Sequence, residues 1–105
     1  MVTSSRIAQQ VDRDLQRLNG ELDFLPDLAL DWDEETIENR IIWNAEWGQL
    51  MTFLMALHRA YQSGHMGEEQ RARYVALAHR LREALPLLRR LELVERFPVP
   101  LDDVA

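Results

Sequence analysis

The sequence contains no cysteine and no lysine, and all 12 of its basic residues are arginine. Without cysteine there can be no disulfide framework, thiolate nucleophile, thiolate zinc site or iron–sulfur cluster. Without lysine there is no phosphate-cradling P-loop, which requires a lysine after its last glycine, and no Schiff-base chemistry. Serine is scarce as well: Ser4, Ser5 and Ser63 are all there is, and no Gly-x-Ser-x-Gly elbow can be written around any of them. The four glycines stand singly, so a dinucleotide-binding fingerprint is excluded. Most side chains that short motifs use for covalent catalysis are therefore missing.

What is present fits one helical domain. The chain has 105 residues, 47% of them hydrophobic and 29% charged, with a formal net charge of −6. A chain of this length can bury about two thirds of the surface its unfolded form exposes, enough for one core without covalent staples. The opening Met-Val-Thr-Ser-Ser-Arg has no apolar run behind it, so no signal peptide is expected. The most apolar stretch, Arg40 to His58, contains Asn44, Glu46 and Gln49 and reads as a buried helix, not a membrane span. A cytoplasmic protein is expected.

Periodicity places three helices. The first spans about residues 4–19, starting near Thr3 or Ser4, with Ile7, Val11, Leu15 and Leu18 on one side and Gly20 as its stop. Residues 20–32 are expected to be irregular, because Pro26 lacks an amide donor and clashes with the preceding turn. The second helix is expected over about 33–63. Asp31 and Glu34 have capping-box spacing before it, and Gly64 terminates it. The third, about 68–95, carries the apolar face Tyr74, Leu77, Ala78, Leu81, Ala84, Leu85 and Leu88. Pro86 should kink or split it, which would make four helices of three. Phe97-Pro98-Val99-Pro100 favours an extended tail over 97–105. The expected architecture is an all-α bundle built on a long antiparallel hairpin of the second and third helices.

Charge is uneven along the chain. Residues 21–38 hold eight acids and no base; residues 71–90 hold six arginines against Glu83 alone. The acidic segment is expected to pack near the third helix, where Arg71, Arg82 and Arg89 share one side. A calcium loop starting at Asp31 fails, since its sixth and twelfth positions would be Thr36 and Ile42. The three histidines supply no Glu-x-x-His and no His-Glu-x-x-His pattern. His58 reads as a hydrogen-bonded core histidine and His65 as an exposed turn residue. No metal or cofactor is expected, and the negative net charge disfavours nucleic acid as a partner.

The second helix is apolar nearly all the way round. Trp43, Trp47, Leu50, Leu54, Leu57 and Tyr61 fall within about 80° on a wheel of 3.6 residues per turn. Beyond them lie Ala45, Gly48, Thr52 and Ala56, with Ile42 and Phe53 on the remaining side. Two neighbouring helices do not easily cover such a circumference. The expectation is a non-enzymatic interaction module that forms a homodimer through this helix, or else binds another protein. Trp43, Trp47, Leu50, Leu54, Leu57 and Tyr61 would be its interface or core anchors.

The alternative is a small helical enzyme or ligand-binding bundle. Arg73-Tyr74-Val75-Ala76-Leu77-Ala78-His79 is similar to the Arg-x(4–6)-His motif of HEPN-type ribonucleases. That resemblance covers seven residues and implies a site for RNA cleavage at Arg73 and His79. The sequence departs from the motif at Tyr74, where a polar residue usually follows the arginine. Arg59 and His65 repeat the spacing. On a straight helix residues six apart point about 120° away from each other.

Overall fold

The computed structural model describes residues 2–104, and side chains from Arg6 onward. The first helix is already under way at the expected start near Thr3 or Ser4, and the tail's last residue, Ala105, lies outside the described residues. Three helices make an all-α bundle: α1 (Val2–Leu30), α2 (Ile37–Gln62) and α3 (Glu68–Arg90). Single 3-10 turns occupy Trp32–Glu34 and Leu101–Asp103, and there is no strand among the described residues.

Helix α1 passes through both of its expected stops. Val11, Leu18 and Leu25 are buried at seven-residue spacing, as are Leu15 and Leu22, and Leu28 extends the stripe. A helical glycine costs about 1 kcal/mol and an interior proline about 3. Each leucine fully buried returns roughly 1.5–3 kcal/mol. Leu22, Leu25 and Leu28, all at 5% exposure or less, therefore outweigh Gly20 and Pro26, whose own positions face solvent. Residues 20–32 are helical as far as Leu30, not irregular. Pro86 likewise leaves α3 continuous across an exposed position, with Leu88 fully buried just beyond it.

The start of α2 also moves. Thr36, not Asp31 or Asp33, caps it: the threonine hydroxyl accepts from the Asn39 amide at 3.1 Å. Asp31 instead precedes the 3-10 turn and makes no capping hydrogen bond with its side chain. Arg40 ties that turn down by donating to the Trp32 carbonyl at 2.8 Å, with its guanidinium over the Trp32 ring.

Contacts fix the helix directions. Gln70 reaches the Ala8 carbonyl, Arg73 pairs with Asp12, and Arg80 donates to Asn19 and Asp23, so α1 and α3 run the same way. Phe24 stacks on Trp43 and Arg17 pairs with Glu46, so α2 runs against α1. The expected frame was the α2–α3 hairpin with the first helix across it. Instead α1, 29 residues long, touches both neighbours more extensively than they touch each other.

The chain after α3 is not a free tail. Leu91, Leu93, Val94, Leu101 and Val104 are buried, and Phe97 and Val99 pack against the core. Helix α3 stops at Arg90 instead of near residue 95 because burying Leu93 and Val94 requires the chain to fold back. Arg89 and Arg82 hold the returning segment at its two ends, through the carbonyls of Glu95 and Leu101.

Candidate functional site

Helix α2 has an inside and an outside that its composition does not announce. Trp47, Leu50, Leu54, Leu57 and His58 are buried. At 100° per residue, Ile41, Ala45, Gly48 and Thr52 fall on the far side of the helix, and all four are exposed. Ile37 and Met55 flank them on one edge, Gln49 and Ala56 on the other. Ile37 is 73% exposed, Ile41 63% and Met55 43%. A β-carbon added at Gly48 would meet nothing within 4 Å.

This face is also uncharged. Between Arg40 and Arg59 the one carboxylate is Glu46, which turns to α1 and pairs with Arg17 at 3.1 Å. Thr52 directs its hydroxyl back at the Gly48 carbonyl, 3.4 Å away. Outward-facing charge appears only at the ends, with Glu38 at one and Arg59 at the other. Beside the Glu38 end, Trp32, Ile37, Arg40, Ile41, Asn44 and Leu91 line a depression of about 370 Å³. Asn44 also donates to the carbonyl of Glu92, another lining residue, at 2.7 Å.

Four of the six expected anchors lie in the chain's own core. Trp47, Leu50, Leu54 and Leu57 are each 1% exposed or less. Trp43 and Tyr61 are half-buried. Trp43 stacks on Phe24 with ring centroids 5.5 Å apart, and Tyr61 lies under the Arg71 guanidinium at 4.6 Å. The large exposed apolar side chains are others: Ile37, Ile41, Ile42 and Met55 on α2, and Phe24 and Leu30 on α1. Two signals in the sequence mark them. The tryptophans share one side, and the isoleucine and small-residue side lacks charge.

The remaining polar groups are dispersed. His58 and Tyr74 share a buried hydrogen bond, Nδ1 to hydroxyl, at 2.8 Å, and His58 Nε2 is buried with no partner. Burial, and Tyr61 beside it, push the Tyr74 hydroxyl far above its ordinary value, so it stays protonated. Arg73 and His79 engage different partners: Arg73 pairs with Asp12 on α1, while the exposed His79 ring nitrogen Nδ1 accepts from Arg82. His65 is exposed. Among the described residues no group of three histidine or acidic side chains could hold a metal ion. No helix there is long and apolar enough to cross a membrane.

Among the described residues, one ion pair joins the acidic segment to α3. Asp23 pairs with Arg80 at 2.7 Å, whereas Arg71 covers Tyr61 and Arg82 and Arg89 hold the C-terminal segment. The arginines expected to receive the acids are thus engaged elsewhere. Two carboxylates on α1 are perturbed. Desolvation raises Asp14, against a hydrogen bond from Gln10 and the charges of Arg13 and Arg17. Desolvation also raises Glu21, with repulsion from Glu46 adding to it and Arg17 opposing it.

A second concavity of about 390 Å³ lies between α3 and the returning segment, lined by Arg82, Arg89, Arg96 and Asp102 together with apolar side chains such as Phe97 and Leu101. Two of those arginines are already bonded to backbone carbonyls of that segment. No family model matches the chain, and comparison with curated proteins and with solved structures finds no match.

Proposed function

We propose that this chain is a non-enzymatic helical interaction module that self-associates through the outward face of α2. The observation that carries the reading is the uncharged, solvent-facing stripe from Ile41 to Met55, which Ile37 extends beyond Glu38. An isoleucine fully removed from water is worth roughly 1.5–3 kcal/mol, so Ile37 and Ile41 leave substantial free energy unrealised in the single chain. Contiguous exposed apolar surface on a small protein marks an interaction site. A solvated helix face normally carries charges at every turn; here more than five turns separate Glu38 from Arg59 with no outward charge between them.

Sedimentation velocity at micromolar concentration tests the reading. A dimer is expected for the wild type, and a monomer with unchanged helicity for Ile41→Asp. Ile41 is exposed, so the aspartate does not perturb the core of the single chain. A wild-type chain that stays monomeric up to about 100 μM, a Kd range corresponding to less than about 5.5 kcal/mol of association, would overturn it.

A further inference from the structure

Resting on that self-association, we infer that the second copy packs antiparallel to the first, across a two-fold axis that passes at Gly48. Three observations converge on this arrangement. The first is charge. The face ends in exposed Glu38 at the N-terminal side and exposed Arg59 at the C-terminal side, with no outward charge between them. An antiparallel pair centred on Gly48 sets Glu38 of one copy beside Arg59 of the other, twice. A parallel pair sets Glu38 against Glu38 and Arg59 against Arg59, and like charges brought together at an interface oppose it.

The second is shape. A two-fold axis makes one position meet itself, and the surface there must be self-complementary. Gly48 has no side chain and open space in front of it. Ala45 and Thr52 lie on either side, so the two backbones can approach closely at the crossing. The larger side chains then interlock further out, with Ile41 opposite Met55 of the second copy. The third is the field of the helices. Each carries about half an elementary charge at either end, and antiparallel neighbours place opposite ends together.

The absence of native cysteine makes the geometry directly readable. In the full chain, Gly48→Cys and Ile41→Cys each introduce the sole thiol. In the antiparallel pair the two residues at 48 meet at the axis. The two residues at 41 lie about 21 Å apart along it, from 14 residues at 1.5 Å each. Mild oxidation with diamide is therefore expected to cross-link the Gly48→Cys dimer and leave Ile41→Cys reduced, while the double variant Ile41→Cys/Met55→Cys cross-links. Glu38→Arg and Arg59→Glu should each weaken dimerisation by roughly 2- to 30-fold, and the two together should restore it. Circular dichroism of each variant checks that the fold is kept.

Cross-linking at both 41 and 48 in the single-cysteine variants would mean a parallel pair, overturning the antiparallel geometry but not the self-association. A dimer that cross-links at none of these positions overturns the geometry too. A chain that does not dimerise at all overturns the functional reading on which the geometry rests.

Discussion

The amide of Leu93 donates to the carbonyl of Leu88 at 2.9 Å, and both side chains are buried. Glu92 between them must therefore adopt the left-handed conformation, with φ of 58°. Its own amide bonds to Arg89 at 3.0 Å, completing a Schellman-type helix end. The same motif ends α2, where Gly64 takes the left-handed position at φ 74° and the His65 amide reaches Ala60. A glycine adopts this conformation freely, whereas a side chain there costs about 1–2 kcal/mol. Glu92→Gly should therefore stabilise the fold by about 1 kcal/mol, raising Tm by roughly 4–8 °C, and Gly64→Ala should lower it by a similar amount. Thermal unfolding followed by circular dichroism checks both.

The buried pair His58 and Tyr74 should behave as a unit. Tyr74→Phe removes the only hydrogen bond described for the His58 ring and leaves Nδ1 unpaired beside an already unpaired Nε2. The expected loss is about 1–3 kcal/mol in urea unfolding. Replacing both, as His58→Leu with Tyr74→Phe, removes the unmet polar atoms as well and should recover most of that loss. A double variant weaker than Tyr74→Phe alone would show that the ring contacts of His58 with Tyr61 and Tyr74 matter more than its polarity.

Asp14 makes stability depend on pH with a definite sign. Its carboxyl titrates above the ordinary 3.8 in the folded chain because burial disfavours the charge. The folded state thus binds the proton more tightly than the unfolded state. Its contribution to stability is fully present below the unfolded value and is lost as pH rises through the raised folded value. Glu21 acts in the same direction. Asp14→Asn, which keeps the shape and an acceptor for Gln10, should be more stable than wild type at pH 7. The advantage should shrink as pH falls towards 4. Urea titrations at several pH values measure the difference.

Gly20 lies on the solvent side of a continuous helix with nothing near its absent β-carbon. Gly20→Ala should therefore stabilise by about 0.5–1 kcal/mol through helix propensity alone. Gly48 is equally open in the single chain. If it sits at a dimer axis, Gly48→Leu should leave monomer helicity intact and weaken association, a contrast that sedimentation of the two variants resolves.

Much of the fold was legible in the order of residues. The apolar face of α3 and the glycine that ends α2 are local patterns, and the structure has them where periodicity and turn chemistry place them. Local rules failed where they competed with packing. Gly20 and Pro26 read as stops, and the capping-box spacing of Asp31 and Glu34 competes with Thr36, the residue that caps α2. The next three leucines of the stripe carried α1 onward, because their burial outweighs one glycine and one proline. The arginines of α3 could be counted but not assigned: the α1 partners of Arg73 and Arg80 lie 57 or more residues away, and Arg82 and Arg89 meet theirs only because the chain folds back after α3.

The missing lysine and cysteine, the helical class and the apolar excess of α2 belong to the sequence alone, because composition and periodicity need no neighbours. Which side of α2 that excess would leave in water did not. In a helix apolar around most of its circumference, the shared side of the tryptophans sets only a weak preference for an inside, and the neighbouring helices decide it. Helices α1 and α3 took the side with Trp47, Leu50, Leu54 and Leu57, whose large side chains fill the space between three helices. Ile37, Ile41 and Gly48 were left facing out, and only the packing of the bundle made them the candidate site.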